Sequence, residues 1–140
     1  MEEYIGKLPE NRRDKISAYQ LGVYSRRQKS YYNRKTDTLA SALNSDGTEE
    51  ANLVALDDVL KGKKVTMIKM DIEGSELSAL TGAQDTIRRE HPFLAVSIYH
   101  STEQFFKVPL FIIENFPFYR IYIRQHTTIT DDTVLYAMPV

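Results

Sequence analysis

The stretch MIKMDIEGSELSALTGA, from Met67 to Ala83, sets the architecture of the chain because it joins a strand pattern to a helix pattern through a short turn. Residues 65–72 (VTMIKMDI) form a mostly apolar run, which is typical of a strand covered on both faces. Gly74 and Ser75 interrupt this run, and Ser75 is suited to cap the helix that follows. The apolar residues of that helix fall on one stripe and predict an amphipathic crossover helix: Leu77, Leu80, Ala83 and Ile87.

A second nearly continuous apolar run, FLAVSIY from Phe93 to Tyr99, follows this helix and ends at His100. Strand, helix and strand of these lengths predict a βαβ unit with two parallel strands. The carboxyl ends of such strands lie side by side, and open α/β sheets bind ligands in the crevice beyond those ends. We therefore expect Asp71, Glu73 and His100 to converge in a ligand crevice.

The sequence on either side of this unit predicts further strands, a loop and two short helices. The patterns place strands at Ile16–Tyr24, Ser25–Asn33, Tyr119–Gln125 and Thr133–Met138, a loop at Asn44–Asn52, a helical turn at Asp58–Lys61 between an Asp57 cap and Gly62, and a helix at Pro109–Phe116. The last two strands are joined by a short polar connection, so we expect them to be antiparallel neighbours. The sequence therefore predicts an α/β fold with a parallel centre and a C-terminal antiparallel hairpin.

The composition is that of one ordinary globular domain, with 140 residues of which 42% are hydrophobic. The formal net charge of -1 gives no basic field that would draw the chain to nucleic acid or to an anionic membrane surface. No apolar run reaches the ~20 residues that span a bilayer. The sequence has no cysteine, which excludes disulfides and thiolate metal sites. We therefore expect a cytoplasmic protein that binds neither nucleic acid nor membrane.

One basic segment offers an alternative. Tyr24–Lys35 contains five cations interleaved with three tyrosines, a mixture that can stack on single-stranded nucleic acid. Exposed edge strands also use Lys and Arg to prevent edge pairing. We favour the edge strand.

The acids beyond the first apolar strand suit several kinds of chemistry. Asp71 and Glu73 can accept a proton from a hydroxyl, hold a cationic group or bind a hard cation such as Mg²⁺. The alternative is that Asp71 caps local backbone and that Glu76 only complements the helix dipole, which is the interpretation we favour for Glu76. His100 is either a base, a substrate ligand or a metal ligand, or a histidine satisfied by ordinary hydrogen bonds. No HxH or HExxH spacing supports a dedicated zinc site, so we predict no metal.

The segments IKMDIEGSELSALTGA (68–83) and FLAVSIYH (93–100) resemble the FkbM-type methyltransferases. The shared pattern is a strand ending in lysine, an apolar residue and aspartate, then an acid, glycine, a small residue and glutamate, and a later strand closing in Tyr-His. The resemblance extends over residues 16–139 through LDDVL, the Val108-Pro109 pair, YRIYIRQH and TVLYAMP. Members of this family use S-adenosylmethionine, and the known members mainly methylate hydroxyl oxygens on sugars and natural products.

The resemblance also implies roles for individual residues. It implies that Asp71 and Glu73 form an acidic pair near cofactor and substrate, with Asp71 also binding the cofactor. It implies His100 as an auxiliary base or substrate ligand. Gly22 and Val23, at the end of the first strand, would border the adenine side of S-adenosylmethionine. The implied substrate is a small-molecule or sugar hydroxyl.

The sequence departs from the family at its beginning. Family members open with a strand and a glycine-rich turn for the methionine part of the cofactor, followed by a second strand that ends in an acid, and neither is found here. We therefore interpret residues 1–140 as the C-terminal portion of a methyltransferase domain, a truncated, partial Rossmann-like sheet that lacks the first two strands and the glycine-rich loop. We expect weak or absent cofactor binding by this portion alone.

Two other functions are possible on the sequence alone. The chain could be a non-catalytic interaction module, for example one that pairs an exposed sheet edge with a second copy. DIEGS also distantly resembles the acid-x-acid-Gly-Thr loop of haloacid dehalogenase-type phosphatases, for which Asp131 and Asp132 would add magnesium ligands. Glu73 stands where that loop has its second aspartate, which disfavours phosphotransfer.

Overall fold

A computed structural model describes residues 5–32, 43–44, 49–128 and 132–140. The described strands are β1 (Gly22–Val23), β2 (Gln28–Tyr32), β3 (Leu43–Asn44), β4 (Glu49–Val54), β5 (Met67–Met70), β6 (Phe93–Ser97), β7 (Tyr119–Gln125) and β8 (Thr133–Pro139). The helices are α1 (Glu10–Arg13), α2 (Leu56–Val59), α3 (Glu76–Thr81), α4 (Gln84–Glu90) and α5 (Thr102–Asn115). None of these helices is long and apolar enough to cross a membrane.

The C-terminal sheet has the strand order β5-β6-β8-β7. β5 and β6 are parallel, with Met70 opposite Val96, and β8 pairs antiparallel with both β6 and β7. The parallel centre and the antiparallel hairpin predicted from the sequence are therefore confirmed. Among the described strands, β5 pairs with β6 alone and forms an edge of this sheet.

A second sheet, the N-terminal sheet, has the order β1-β4-β2-β3, and the sequence patterns did not predict it as a separate layer. The strand expected at Ile16–Tyr24 is reduced to β1. The loop expected at Asn44–Asn52 is wrong for its last residues, because β4 begins at Glu49, whereas residues 45–48 lie outside the described part. Cross-strand pairing with β2 explains this polar strand, and the Lys29 ammonium lies 3.0 Å from the Glu50 carboxylate across the pair.

The predicted crossover helix is in fact two helices, α3 and α4, which are separated at Gly82 and Ala83. A Cβ atom on Gly82 would lie 2.2 Å from the carbonyl oxygen of Tyr24, so glycine allows the chain beside β1 to approach closely. The Gly82 carbonyl also accepts a hydrogen bond of 2.9 Å from the Asp57 amide. The break thus lies where two distant parts of the chain, at Tyr24 and Asp57, contact the crossover.

Asp57 caps a different helix from the one predicted. Ala55 occupies the N-cap position of α2, so the expected helical turn at Asp58–Lys61 is displaced. The Asp57 carboxylate instead accepts hydrogen bonds from the amides of Asp85 and Thr86, at 3.1 and 2.7 Å, in the first turn of α4. The first amides of a helix have no acceptor within the helix, and the Asp57 carboxylate supplies one to two of them. It thereby connects α2 to α4.

Helix α5 begins earlier than the sequence pattern predicted. Ser101 is its N-cap and accepts a hydrogen bond of 3.2 Å from the Gln104 amide. Pro109 lies inside the helix rather than in its first turn, so the prediction of a helix starting at Pro109 is wrong. The side-chain cap at Ser101 determines where α5 begins. Inside the helix, Pro109 has no backbone N–H to donate, and α5 continues despite this missing hydrogen bond.

The hydrophobic core lies between the C-terminal sheet and helices α3, α4 and α5. The buried side chains at its centre are Leu80, Ile87, Leu94, Val96, Val108, Ile112, Phe116 and Leu135. Because α3 and α4 cross over from β5 to β6 and bury their apolar stripe here, the carboxyl ends of both strands are held side by side. This arrangement positions the site described below.

We expect Gly82→Ala to lower the free energy of unfolding by about 2 kcal/mol, because the added methyl group meets the backbone of Tyr24, whose amide is held by a hydrogen bond to the Val54 carbonyl. Gly6→Ala is the matched control, since a Cβ atom at Gly6 has nothing within 4 Å. Urea denaturation of both variants measures the difference. Equal stabilities would show that the Tyr24 contact does not constrain Gly82.

Candidate functional site

The candidate site lies where β5 and β6 end. Asp71 directly follows β5, and Glu73 lies in the turn between β5 and α3. Tyr99 and His100 follow β6. The parallel pairing of these strands brings the two groups of residues together, as the sequence predicted for Asp71, Glu73 and His100.

The His100 ring is surrounded by three carboxylates. Its Nε2 atom lies 3.2 Å from Asp71 Oδ1 and 3.2 Å from Glu76 Oε1, and its Nδ1 atom lies 3.7 Å from Glu73 Oε2. The contact with Asp71 is a hydrogen bond, and because ionised carboxylates only accept hydrogen bonds, the two short contacts favour a hydrogen on Nε2. The His100 side chain is 9% exposed, which makes it one of the less accessible groups of the site.

Glu76 has a larger role than the helix-dipole complement that we favoured from the sequence. Its side chain is fully buried, and its two carboxylate oxygens accept hydrogen bonds from the amides of Ile72 (2.8 Å) and Gly74 (3.1 Å). Ser75 stands at the N-cap position of α3 but makes no side-chain capping bond. Glu76 therefore does not take the place of a Ser75 cap, since it binds the two amides of the turn before its own helix rather than the first amides of the helix.

The turn that Glu76 holds has an unusual backbone. Glu73 has a φ angle of 55° and Gly74 a φ angle of 99°, both in the left-handed region that favours glycine. The buried Gln104 side chain, from α5, donates a hydrogen bond to the Gly74 carbonyl. The Gly74 residue is therefore fixed at its amide by Glu76 and at its carbonyl by Gln104. The sequence analysis missed Gln104, since no local pattern connects it to this turn.

Tyr99 is a second residue that the sequence analysis missed. Its hydroxyl donates a hydrogen bond of 3.2 Å to the same Asp71 oxygen that contacts His100. The pKa of Tyr99 is raised to about 12, mainly by partial burial and to a lesser extent by the nearby Asp71 carboxylate. Tyr99 therefore remains a protonated donor near neutral pH. Its position next to His100 at the end of a strand was the available signal.

Gly22 and Val23 lie in different surroundings. Val23 lines an apolar cavity of about 300 Å³ along β5, together with Leu56, Met70 and Ile72. Gly22 lines a separate, more polar groove that includes Glu50 and Asn52. The structure thus connects Val23, but not Gly22, to the end of β5 where Asp71 begins the site.

One group among the described residues has the atoms to hold a divalent cation. One ligand atom each from Asp71, Glu76 and His100 lie within 4.8 Å of one another. The two contacts of His100 Nε2 are hydrogen-bond lengths, so a proton on this nitrogen accounts for them. Chemically, the cluster can accept a proton and can bind hydroxyl or cationic groups through its carboxylates.

Comparisons with known proteins agree with the geometry. Residues 9–129 match the family described as the methyltransferase FkbM domain. The chain is also similar to the crystal structure of methyltransferase FkbM from Methylobacillus flagellatus, with 30% sequence identity and a TM-score of 0.73. That match covers 97% of this chain and 31% of the other, so the chain spans about a third of the length of this relative. No curated protein matches the chain.

The raised pKa of Tyr99 predicts a loss of stability at alkaline pH. The folded state holds the phenol proton more tightly than the unfolded state, so this contribution is complete below about pH 10 and is lost as the pH rises through about 12. We expect Tyr99→Phe to reduce the fall in unfolding free energy over this interval. The measurement is urea denaturation as a function of pH.

Tyr122→Phe serves as the control, because Tyr122 is an exposed residue of β7. This variant should keep the wild-type dependence on pH. If the Tyr99→Phe and wild-type curves have the same alkaline slope, the Tyr99 phenol is not held as described.

Proposed function

The chain belongs to the FkbM methyltransferase family, and from this premise we propose that it forms part of a site for S-adenosylmethionine-dependent methylation of a hydroxyl oxygen on a sugar or natural product. The observation that carries the proposal is the cluster of Asp71, Glu73 and His100 at the carboxyl ends of β5 and β6. Because the chain spans about a third of its solved relative, the activity is proposed for the domain to which these residues contribute.

The fold supports this proposal through its sheet. We infer that the C-terminal sheet is the C-terminal part of a Rossmann-like sheet, in which ligands bind beyond the carboxyl ends of the parallel strands. Further parallel strands would add at the edge of β5 that pairs with no other strand in the described part of the chain. The cavity that Val23 lines also includes Met70 and Ile72, the neighbours of Asp71 in the sequence.

The described residues fit one end of the cofactor. The apolar cavity beside β5 suits a flat heteroaromatic ring, and the Asp71 carboxylate suits a hydroxyl or a cationic group at its end. When bound, S-adenosylmethionine supplies an electrophilic methyl group on a positively charged sulfur. A cluster of carboxylates favours such a charge nearby. In this proposal, Val23 and Asp71 contact the cofactor, and Gly22 supports β1 from a neighbouring groove.

The acidic residues and His100 would act on the substrate. Methylation of a hydroxyl requires that its oxygen be aligned with the methyl group and that its proton be accepted. His100 is the proposed base, because its ring is held by charged neighbours and a second ring nitrogen faces Glu73. Asp71 and Glu73 would accept hydrogen bonds from substrate hydroxyls, which is how carboxylates bind sugars.

The competing functions have less support. The family match favours methyl transfer over magnesium-dependent phosphotransfer. Asp132 is exposed, and Asp131 lies outside the described part of the chain. A non-catalytic role as an interaction module would use the edge of β5, and this alternative is an outcome of the experiment below. Placement in the cytoplasm is part of the same proposal and rests on the sequence composition.

Calorimetric titration with S-adenosylmethionine and S-adenosylhomocysteine tests the proposal. We expect saturable but weak binding, with a dissociation constant on the order of 1 mM, because only one end of the cofactor finds partners here. Asp71→Asn should weaken binding, since it removes the charge at the end of the cavity. Asp57→Asn is the matched control, because it changes a carboxylate that caps α4.

Absence of saturable heat with both ligands would reject cofactor binding by this chain and favour the interaction module. Equal binding by the Asp71→Asn variant and the wild type would reject the role of Asp71 while leaving the cavity as the binding site.

A further inference from the structure

The buried Glu76 carboxylate contacts two parts of the site, the turn that carries Glu73 and the His100 ring. Through its bonds from the Ile72 and Gly74 amides, it fixes the turn that carries Glu73. Through Oε1, it contacts Nε2 of His100 at 3.2 Å. One side chain thus contacts both the turn of Glu73, which Gln104 also holds, and the Nε2 edge of the imidazole, which Asp71 also contacts.

A helix cap alone does not explain this arrangement. A capping carboxylate needs only the backbone donors near its helix, and Asp57 shows such a cap at α4. Glu76 has the backbone donors and, in addition, the contact with His100. A fully buried carboxylate is costly unless charged or hydrogen-bonded partners surround it, and His100 is the ring that completes its partners.

The contacts also distinguish the two nitrogens of His100. Nε2 lies 3.2 Å from a carboxylate oxygen of Asp71 and 3.2 Å from one of Glu76, and two carboxylate acceptors at this nitrogen favour the tautomer with its hydrogen on Nε2. Nδ1 lies 3.7 Å from Glu73 Oε2, which is longer than a hydrogen bond. With its hydrogen on Nε2, a neutral ring keeps a lone pair on Nδ1. Glu73 is exposed, so this second nitrogen faces the side of the site that a substrate can reach.

We propose that Glu76 is a positioning residue, which holds the turn of Glu73 and the His100 ring together so that Nδ1 is presented as the proton acceptor. The role of Nδ1 as a proton acceptor rests on the proposed function, whereas the positioning of the ring by Glu76 does not. In the transfer, the substrate O–H bond would break as its oxygen bonds the methyl carbon. The proton would pass to Nδ1, and the carbon–sulfur bond electrons would remain on the sulfur of the departing S-adenosylhomocysteine.

The experiment is nuclear magnetic resonance of the ring nitrogens in the chain labelled with ¹⁵N-histidine. The chain has three histidines, and a His100→Asn variant identifies the signals of His100. In the wild type we expect a hydrogen on Nε2 that is protected from exchange with water, and no hydrogen on Nδ1 at alkaline pH. Glu76→Gln should reduce the protection of this signal, because the buried carboxylate becomes a weaker, neutral acceptor and the remaining carboxylate at Nε2, Asp71, is open to solvent.

Asp57→Asn is the control for a merely structural effect. Asp57 and Glu76 each accept two backbone hydrogen bonds, so both variants should lower the temperature of unfolding. Only Glu76→Gln should change the His100 signal. Asp71→Asn should keep the protected Nε2 hydrogen, because Glu76 remains in place.

Three results would overturn the proposal. They are a hydrogen on Nδ1 in place of Nε2 in the wild type, an unchanged His100 signal in folded Glu76→Gln, and loss of the protected hydrogen in Asp71→Asn. If Glu76→Gln does not fold, the wild-type and Asp71→Asn spectra decide. A fourth overturning result comes from titration with Zn²⁺, because replacement of the Nε2 hydrogen by equimolar metal would make the cluster a metal site.

The proposed function and this inference fail separately. If the chain does not bind S-adenosylmethionine but its histidine spectra are as expected, the proposed function is rejected and the contact of Glu76 with His100 is established. If the chain binds S-adenosylmethionine but Glu76→Gln leaves the His100 signal unchanged, the positioning role of Glu76 is rejected and the proposed methyltransferase function is retained.

Discussion

The parallel pairing of β5 with β6 constrains how the chain between these two strands must run. Parallel neighbours cannot be joined by a tight turn, so the chain must cross over, and here α3 and α4 provide the crossover while burying their apolar stripe on the sheet. Once this stripe is buried, the two strands end side by side. The acids that follow β5 then lie close to the Tyr99-His100 pair that follows β6, with Glu73 carried by a turn of left-handed backbone.

Electrostatic interactions determine how the residues after β5 contact His100. A fully buried carboxylate such as Glu76 is tolerated only because two amides and an imidazole surround it. The same donors that make its burial tolerable also fix the turn and the ring. Stability and organisation of the site thus come from the same contacts, and substitutions here should affect both together.

The sequence predicted those features that depend on neighbouring residues. The alternating run that became β7 and the apolar runs that became β5 and β6 were recognised because each strand carries its own pattern. The strand expected at Ser25–Asn33 is confirmed as β2, but it lies between β4 and β3 and not at an edge of its sheet. Strand β4 was not predicted, since its polar residues form a strand through pairing with β2. The break at Gly82 was not predicted either, because the contacts of this glycine are with the distant residues Tyr24 and Asp57.

The same distinction applies to the site. Convergence of Asp71, Glu73 and His100 followed from topology and was confirmed by the distances between them. Glu76 was taken for a local helix feature, because its amide partners are local and only its contact with His100 is distant. Gln104 gave no signal at all, since its bond to Gly74 depends on how α5 packs against α3.

The cap that Asp57 places on α4 has a consequence for local unfolding. The residues of α2 cannot leave their place without also releasing the amides of Asp85 and Thr86, which this carboxylate binds. The Asp57 amide holds the Gly82 carbonyl at the junction of α3 and α4 as well. Helix α2, a single turn, is thereby fastened to the crossover at two points. In hydrogen exchange, these amides would open as one cooperative unit rather than fray separately.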